Sequence, residues 1–161
     1  MMPMRIVLTA VMGLAAAARL GAQTVAVPKV DQDTYHIAVT EERRTIFAAN
    51  LALGPEERER FWSIYDDYVK EREPLERGRF SLLERYVESY AKLNDDQAMA
   101  IALASGKLQV SDVELRLKYA AILRKKMSGR VAARFFQIDD YVTTAMRMNS
   151  LSGVPLVMPG R

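Results

Sequence analysis

The carboxylates are the first place to look for chemistry. Asp66 and Asp67 with Glu71, Asp95 with Asp96, and Asp139 with Asp140 form adjacent or near-adjacent groups. Neighbouring residues on a helix point about 100° apart, so none of these doublets can share a proton as an acid–base pair. Asp67 and Glu71 are four apart and share a face; they could hold a cation weakly, but a solvated helix face is the preferred reading. His36 is the single imidazole and there is no Cys. Disulfides, thiolate nucleophiles, Cys-based zinc or iron–sulfur sites and multi-histidine metal sites are thereby excluded. The eight Gly are scattered, and none falls in a phosphate-cradling G-x-G-x-x-G or P-loop spacing. The expectation is a protein that is not an enzyme and holds no metal or cofactor, with His36 an ordinary surface residue.

Two groups of cations remain. Arg72 and Arg79 are seven apart, in line with Leu75 and Leu82, and interrupt an apolar stripe. A long Arg on such a face can lay its stem along the surface and keep its guanidinium in water. Tyr68, Arg72, Leu75, Arg79 and Leu82 are therefore a candidate client or partner surface; internal pairing of the arginines, for example with Glu76, is the alternative. The second group is Arg124, Lys125, Lys126, Arg130 and Arg134, a candidate basic patch for an acidic partner, an acidic client or anionic lipid. For Arg124–Lys126 the preferred reading is cations that suit a helix C-terminus. Residues 95–161 hold ten basic and six acidic residues, against eleven and fourteen in residues 23–94, so the chain has a basic end.

Positioning these residues falls to helices. Thr40 reads as an N-cap with Glu41 and Glu42 in the first turn, opening a short helix to about Ala52. Leu53-Gly54-Pro55-Glu56-Glu57 is a stronger start, because Pro suits the first helical position. From Pro55 to about Lys92 apolar residues recur at helical spacing, with a bend expected at Pro74. Leu93-Asn94-Asp95-Asp96-Gln97 restarts the chain as a capping box, Asn94 capping and Gln97 at the third position. The next helix runs to about Met127 with three apolar rows: Ile101, Leu108, Leu115 and Ile122; Leu103, Val110 and Leu117; Met99, Val113, Ala120 and Met127. Asp112–Arg116 and Glu114–Lys118 are acid-first pairs suited to a solvated face. Ser128 caps a last helix striped by Val131, Phe135, Ile138, Val142 and Met146.

The termini read differently. Met1–Arg5 carries one charge, Ile6–Ala18 is apolar or small, and small residues follow. That is a signal-peptide layout, too short to span a bilayer. Cleavage after Ala22 is preferred to cleavage after Ala18. The expected division is a signal peptide over 1–22, an extended arm over 23–39, a helical domain over 40–149 and an extended tail over 150–161. Losing Arg5 and Arg19 leaves 21 basic and 20 acidic residues, so the basic balance of the whole chain is not a nucleic-acid signal. Export predicts the periplasm, with no stable membrane insertion.

Two long helices joined by about two residues must run antiparallel. The predicted fold is all-α: an elongated antiparallel helical hairpin with additional short helices at each end. Its apolar rows exceed what two helices cover, so the short helices or a second chain must cover the rest, and a homodimer is expected.

The leader, the helical body, the absence of Cys and the two start pentads together resemble the Spy/CpxP family of periplasmic proteins, marked by repeated Leu-Thr-x-x-Gln motifs. The positions that carry the resemblance are Leu93, Asn94 and Gln97, and Leu53, Pro55 and Glu57; Asn94 stands for Thr and Glu57 for Gln. The resemblance implies a curved helical dimer that holds unfolded envelope proteins without ATP, or a regulatory module that binds one specific partner such as an envelope stress-sensor domain.

Overall fold

The computed structural model describes residues 32–158, with four α-helices and no strand among them. They are α1 (Gln32–Asn50), α2 (Pro55–Ser89), α3 (Asp95–Lys126) and α4 (Gly129–Leu151), with a single 3-10 turn (Tyr90–Lys92) between α2 and α3. The predicted signal peptide and residues 23–31 of the predicted arm lie outside the described residues.

The α2–α3 hairpin is the frame. Its helices are 35 and 32 residues long, about 52 and 48 Å at 1.5 Å per residue. The starts form as their chemistry dictates. Glu57 Oε2 accepts the Gly54 N–H at 3.2 Å with Pro55 opening α2, and Asn94 and Gln97 exchange hydrogen bonds of 2.9 and 3.1 Å at the head of α3. Ser128 Oγ accepts from Val131 N–H to start α4. α2 continues through Pro74 to Ser89. At Gly78 an added Cβ would stand 3.2 Å from Leu108, so the missing side chain lets α2 and α3 approach closely.

α1 and α4 lie back along one half of this hairpin, α4 against α3 and α1 against both α2 and α4. The core therefore sits at that half. Phe47 of α1, Phe61, Ile64, Tyr65 and Tyr68 of α2, Leu115, Tyr119 and Leu123 of α3, and Val131, Ala132 and Phe135 of α4 form one buried cluster. Its centre is aromatic: Phe47 meets Tyr65 at 4.9 Å between centroids, and Tyr68 meets both Tyr119 and Phe135 at 5.2 Å. Such tilted and edge contacts suit the ring quadrupoles.

Two boundaries differ from expectation. α1 begins at Gln32, so residues 32–39 are helical rather than an extended arm and Thr40 is no cap. Once Arg43 and Phe47 dock the helix, adding turns is cheap. Asp33 then suits the first turn and reaches Arg77 of α2 at 2.7 Å. His36 accordingly falls in α1. At the other end α4 runs to Leu151 before the chain extends. Tyr86 Oη donates to the Pro155 carbonyl at 2.7 Å and Val154 and Pro155 are half-buried, while Leu156 is 89 % exposed.

Candidate functional site

One turn beyond the aromatic core, each of the four helices contributes ions to a common layer. Arg43 comes from α1, Arg72, Glu76 and Arg79 from α2, Asp112 and Arg116 from α3, and Asp139 from α4. Arg43 Nη1 meets Asp139 at 2.6 Å. Arg72 Nη1 meets Asp112 at 2.5 Å and also donates to Tyr68 Oη, while its Nε holds Glu76 at 2.8 Å. Arg116 takes Asp112 at 3.0 Å and Asp139 at 3.1 Å. Thr143 Oγ1 accepts from Arg43 and Arg72. Arg43, Arg72, Asp112, Arg116 and Asp139 are each 3 % exposed or less.

A buried charge is tolerated when it is paired and its remaining donors are hydrogen-bonded. Burial works against the Arg72 guanidinium, but Tyr68 and the carboxylates of Asp139, Asp112 and Glu76 outweigh it and hold its pKa above the usual Arg value. Burial likewise works against charge on Asp112, and Arg72, Arg79 and Arg116 outweigh it, so its carboxyl stays below the ordinary Asp range. Burial pushes the Tyr65 and Tyr68 hydroxyls well up. Not every donor is aligned: Arg43 Nε, Arg79 Nη2, Arg116 Nε and Tyr65 Oη are buried without a hydrogen bond. The ions of this layer are engaged with one another and fix how the four helices meet.

The open surface expected at Tyr68, Arg72, Leu75, Arg79 and Leu82 is therefore closed. Tyr68 is fully buried, Arg72 is 2 % exposed, and Leu75 packs on the core. Arg79, a quarter exposed, stands 3.3 Å from Asp112, and Leu82 is half-buried. α1 and α4 cover this face of α2, with Phe47 and Phe135 against Tyr65 and Tyr68. The carboxylates also sort differently from a uniform solvated face. Asp139 is fully buried beside exposed Asp140, which takes Arg116. The Asp112–Arg116 pair forms, but inside the bundle; Lys118 leaves Glu114 for Glu71 of α2. Glu71 is thereby held below its ordinary range by hydrogen bonds from Lys118 and Tyr119. Among the described residues, no group of three or more His, Cys, Asp or Glu is placed to hold a metal, and no helix is long and apolar enough to cross a membrane.

The basic patch is brought together. Arg124, Lys125, Lys126, Arg130 and Arg134 are all exposed at the α3–α4 corner. Arg134 donates to the Asn50 carbonyl ending α1, and Arg60 of α2 reaches the Lys126 carbonyl at 3.4 Å. Two shallow hollows flank this end, of about 300 Å³ by Leu51, Leu53 and Trp62 and about 460 Å³ by Glu59, Arg60 and Lys126. Of the pentad residues, Leu53 packs partly on the core, Leu93 is half-buried, and Pro55, Glu57, Asn94 and Gln97 serve the helix starts.

The feature that row-counting left unassigned is the outward face of α3. Leu103 and Leu117 are 54 % exposed and Met99 and Val110 58 %, with Val113 also open. α2 and α4 hold the opposite face through Leu115, Tyr119 and Leu123. No family model matches the chain, nor does any curated protein or solved structure.

Proposed function

We propose that the protein is a non-catalytic interaction module of the cell envelope, one that presents the outward face of α3 to a defined helical partner. The observation that carries this reading is the row Met99, Leu103, Val110, Val113 and Leu117, interrupted at Gly106, that stands exposed on a helix whose other side is fixed by the core and charge layer. An exposed apolar stripe of this length on a rigid helix is the form taken by helix-recognition surfaces. The basic corner supplies a second, polar contact that favours acidic partners. The leader-like first 22 residues support an envelope location. This is the regulator of the two readings that the Spy/CpxP resemblance implies.

The test is affinity isolation from envelope extracts with wild type and with Val110→Asp plus Leu117→Asp. Both positions face water, so each change should alter stability by no more than about 0.5 kcal/mol. One stoichiometric partner is expected with wild type, and its loss with the variant. Recovery of the same proteins with both would refute the reading. A holding chaperone is the second reading, favoured by exposed Met99, Met148 and Met158, since flexible thioethers suit varied clients. It requires that equimolar protein slow the aggregation of a reduced test protein without ATP.

A further inference from the structure

Among the described side chains of α1 only Arg43 and Phe47 are buried; Ile37, Glu41, Glu42, Thr45 and Ala48 face water. The other three helices are set into the bundle along much more of their length. We propose that α1 is a detachable strap over a helix-binding groove: it lifts while α2, α3 and α4 stay folded, and the groove then takes a helix of another protein that carries an Arg and, four residues on, an aromatic ring. This groove lies on α2 and α4, and the proposal does not rest on the open face of α3.

The seat of α1 defines the occupant. Arg43 and Phe47 are one turn apart and share a face. Phe47 meets the rings of Phe61, Tyr65 and Phe135 at 6.1, 4.9 and 5.6 Å between centroids. Arg43 enters between Asp139 at 2.6 Å and Glu76 at 3.8 Å, and Thr143 Oγ1 accepts from it. An aromatic socket thus stands beside a pair of carboxylates at one helical turn. That is helix-in-groove recognition by two anchors, and the charge of the floor selects a cation for one of them. A foreign helix with the same two side chains at the same spacing meets the same atoms.

Three features let α1 leave without breaking the rest. The first is that no buried acid is abandoned. Asp139 keeps Arg116 at 3.1 Å and Arg72 at 3.7 Å, Glu76 keeps Arg72 at 2.8 Å, and Thr143 keeps Arg72. Breaking a buried ion pair is costly chiefly when a charge is left alone, and here none is. Arg43 Nε, buried without a hydrogen bond, regains water. The second is that the outer holds of α1 face solvent: Arg44 pairs with Asp66 and lies over Trp62, and Asp33 pairs with Arg77. Exposed pairs of this kind add little. The third is the hinge. Arg134 holds the Asn50 carbonyl, and Leu51 and Leu53 pack partly on the core, so the connection to α2 stays in place when α1 swings out. Lifting uncovers the rings of Phe61, Tyr65 and Phe135. Their burial keeps the closed form dominant, and an incoming helix recovers it.

The experiment uses protein expressed from the complete sequence and purified as it accumulates. Hydrogen exchange read by mass spectrometry should show α1 amides exchanging at least about a hundredfold faster than those of residues 115–123 in α3, the mark of local opening. Arg43→Ala should speed α1 at least about tenfold more and leave residues 115–123 unchanged. The groove is probed with a fluorescent peptide of residues 32–50. It should bind the Phe47→Asp protein, whose own α1 cannot refill the socket, at least about tenfold more tightly than wild type. The same peptide with Arg43→Ala and Phe47→Ala should bind neither protein. A designed Ala-rich helix bearing only an Arg and a Phe four apart should bind Phe47→Asp as well. Exchange of α1 only together with α3, or loss of the whole helical signal in Phe47→Asp, overturns the strap. Binding of the native peptide to neither protein, or equally to both, overturns the groove. Failure of the designed helix where the native peptide binds reserves the groove for α1 and overturns the foreign occupant.

Discussion

Replacing Arg72 by Met tests whether the charge layer holds the helices together. Met keeps much of the stem and removes the guanidinium. Lost with it are the 2.5 Å bond to Asp112, the 2.8 Å bond to Glu76 and the bonds to Tyr68 Oη and Thr143 Oγ1. Asp112 keeps Arg116 and Arg79, and Asp139 keeps Arg43 and Arg116, so neither carboxylate is fully abandoned. Removing one member of a buried pair typically costs about 3–5 kcal/mol, and the surviving partners place the expectation near the lower end of that range, about 3 kcal/mol. Against a typical total of about 5–15 kcal/mol this is a large fraction. Urea denaturation followed by far-ultraviolet circular dichroism reads it directly. With a slope of about 2 kcal/mol/M the midpoint should fall by about 1.5 M. Arg72→Glu should be worse, because a fourth carboxylate then joins Asp112, Asp139 and Glu76; the helical signal is expected to be lost at 25 °C. Arg124→Ala, on the exposed corner, is the control and should stay within about 0.5 kcal/mol. A midpoint shift for Arg72→Met no larger than that of Arg124→Ala would refute the assignment of the layer as structural.

Acid should attack the same layer. Asp112 has a folded pKa below its unfolded value of about 3.9, so its contribution is full above that value and is lost as pH falls through the lower, folded one. Stability measured by urea midpoint should therefore decline below about pH 4, and Asp112→Asn should flatten that decline while lowering stability at pH 7. At the head of α3, Asn94→Ala removes the acceptor for the Gln97 N–H and should cost about 1 kcal/mol in the same assay; no change would mean that the hairpin turn is fixed by packing alone.

The helices were legible in the sequence because their starts are local chemistry. Pro55 with Glu57, Asn94 with Gln97, and Ser128 act within four residues, so no partner helix is needed to specify them. α1 was legible only from about Thr40 onward. Residues 32–39 carry no helical period of their own, and their helicity depends on α1 being docked and on Asp33 reaching Arg77. The charge layer left a trace that spacing alone does not interpret: Arg43 stands four before Phe47, Arg72 four after Tyr68, and Asp139 four after Phe135. In antiparallel helices those offsets all lead to one level. Read singly, each ion is equally compatible with a solvated face.

What the sequence determined by itself is the all-helical body, the hairpin and the surplus of apolar rows on α3, since period and capping depend on near neighbours. What only the tertiary structure decided is which surfaces are inside. Arg72 and Leu103 both lie on apolar rows, yet Arg72 is buried and Leu103 faces water. The cause is where α1 and α4 come to rest. They cover the Arg72 face of α2 with Phe47, Phe135 and matching carboxylates, and they leave the Leu103 face of α3 uncovered. Burial is a property of the packed set of helices, and no spacing within one helix encodes which of its faces a distant segment will meet.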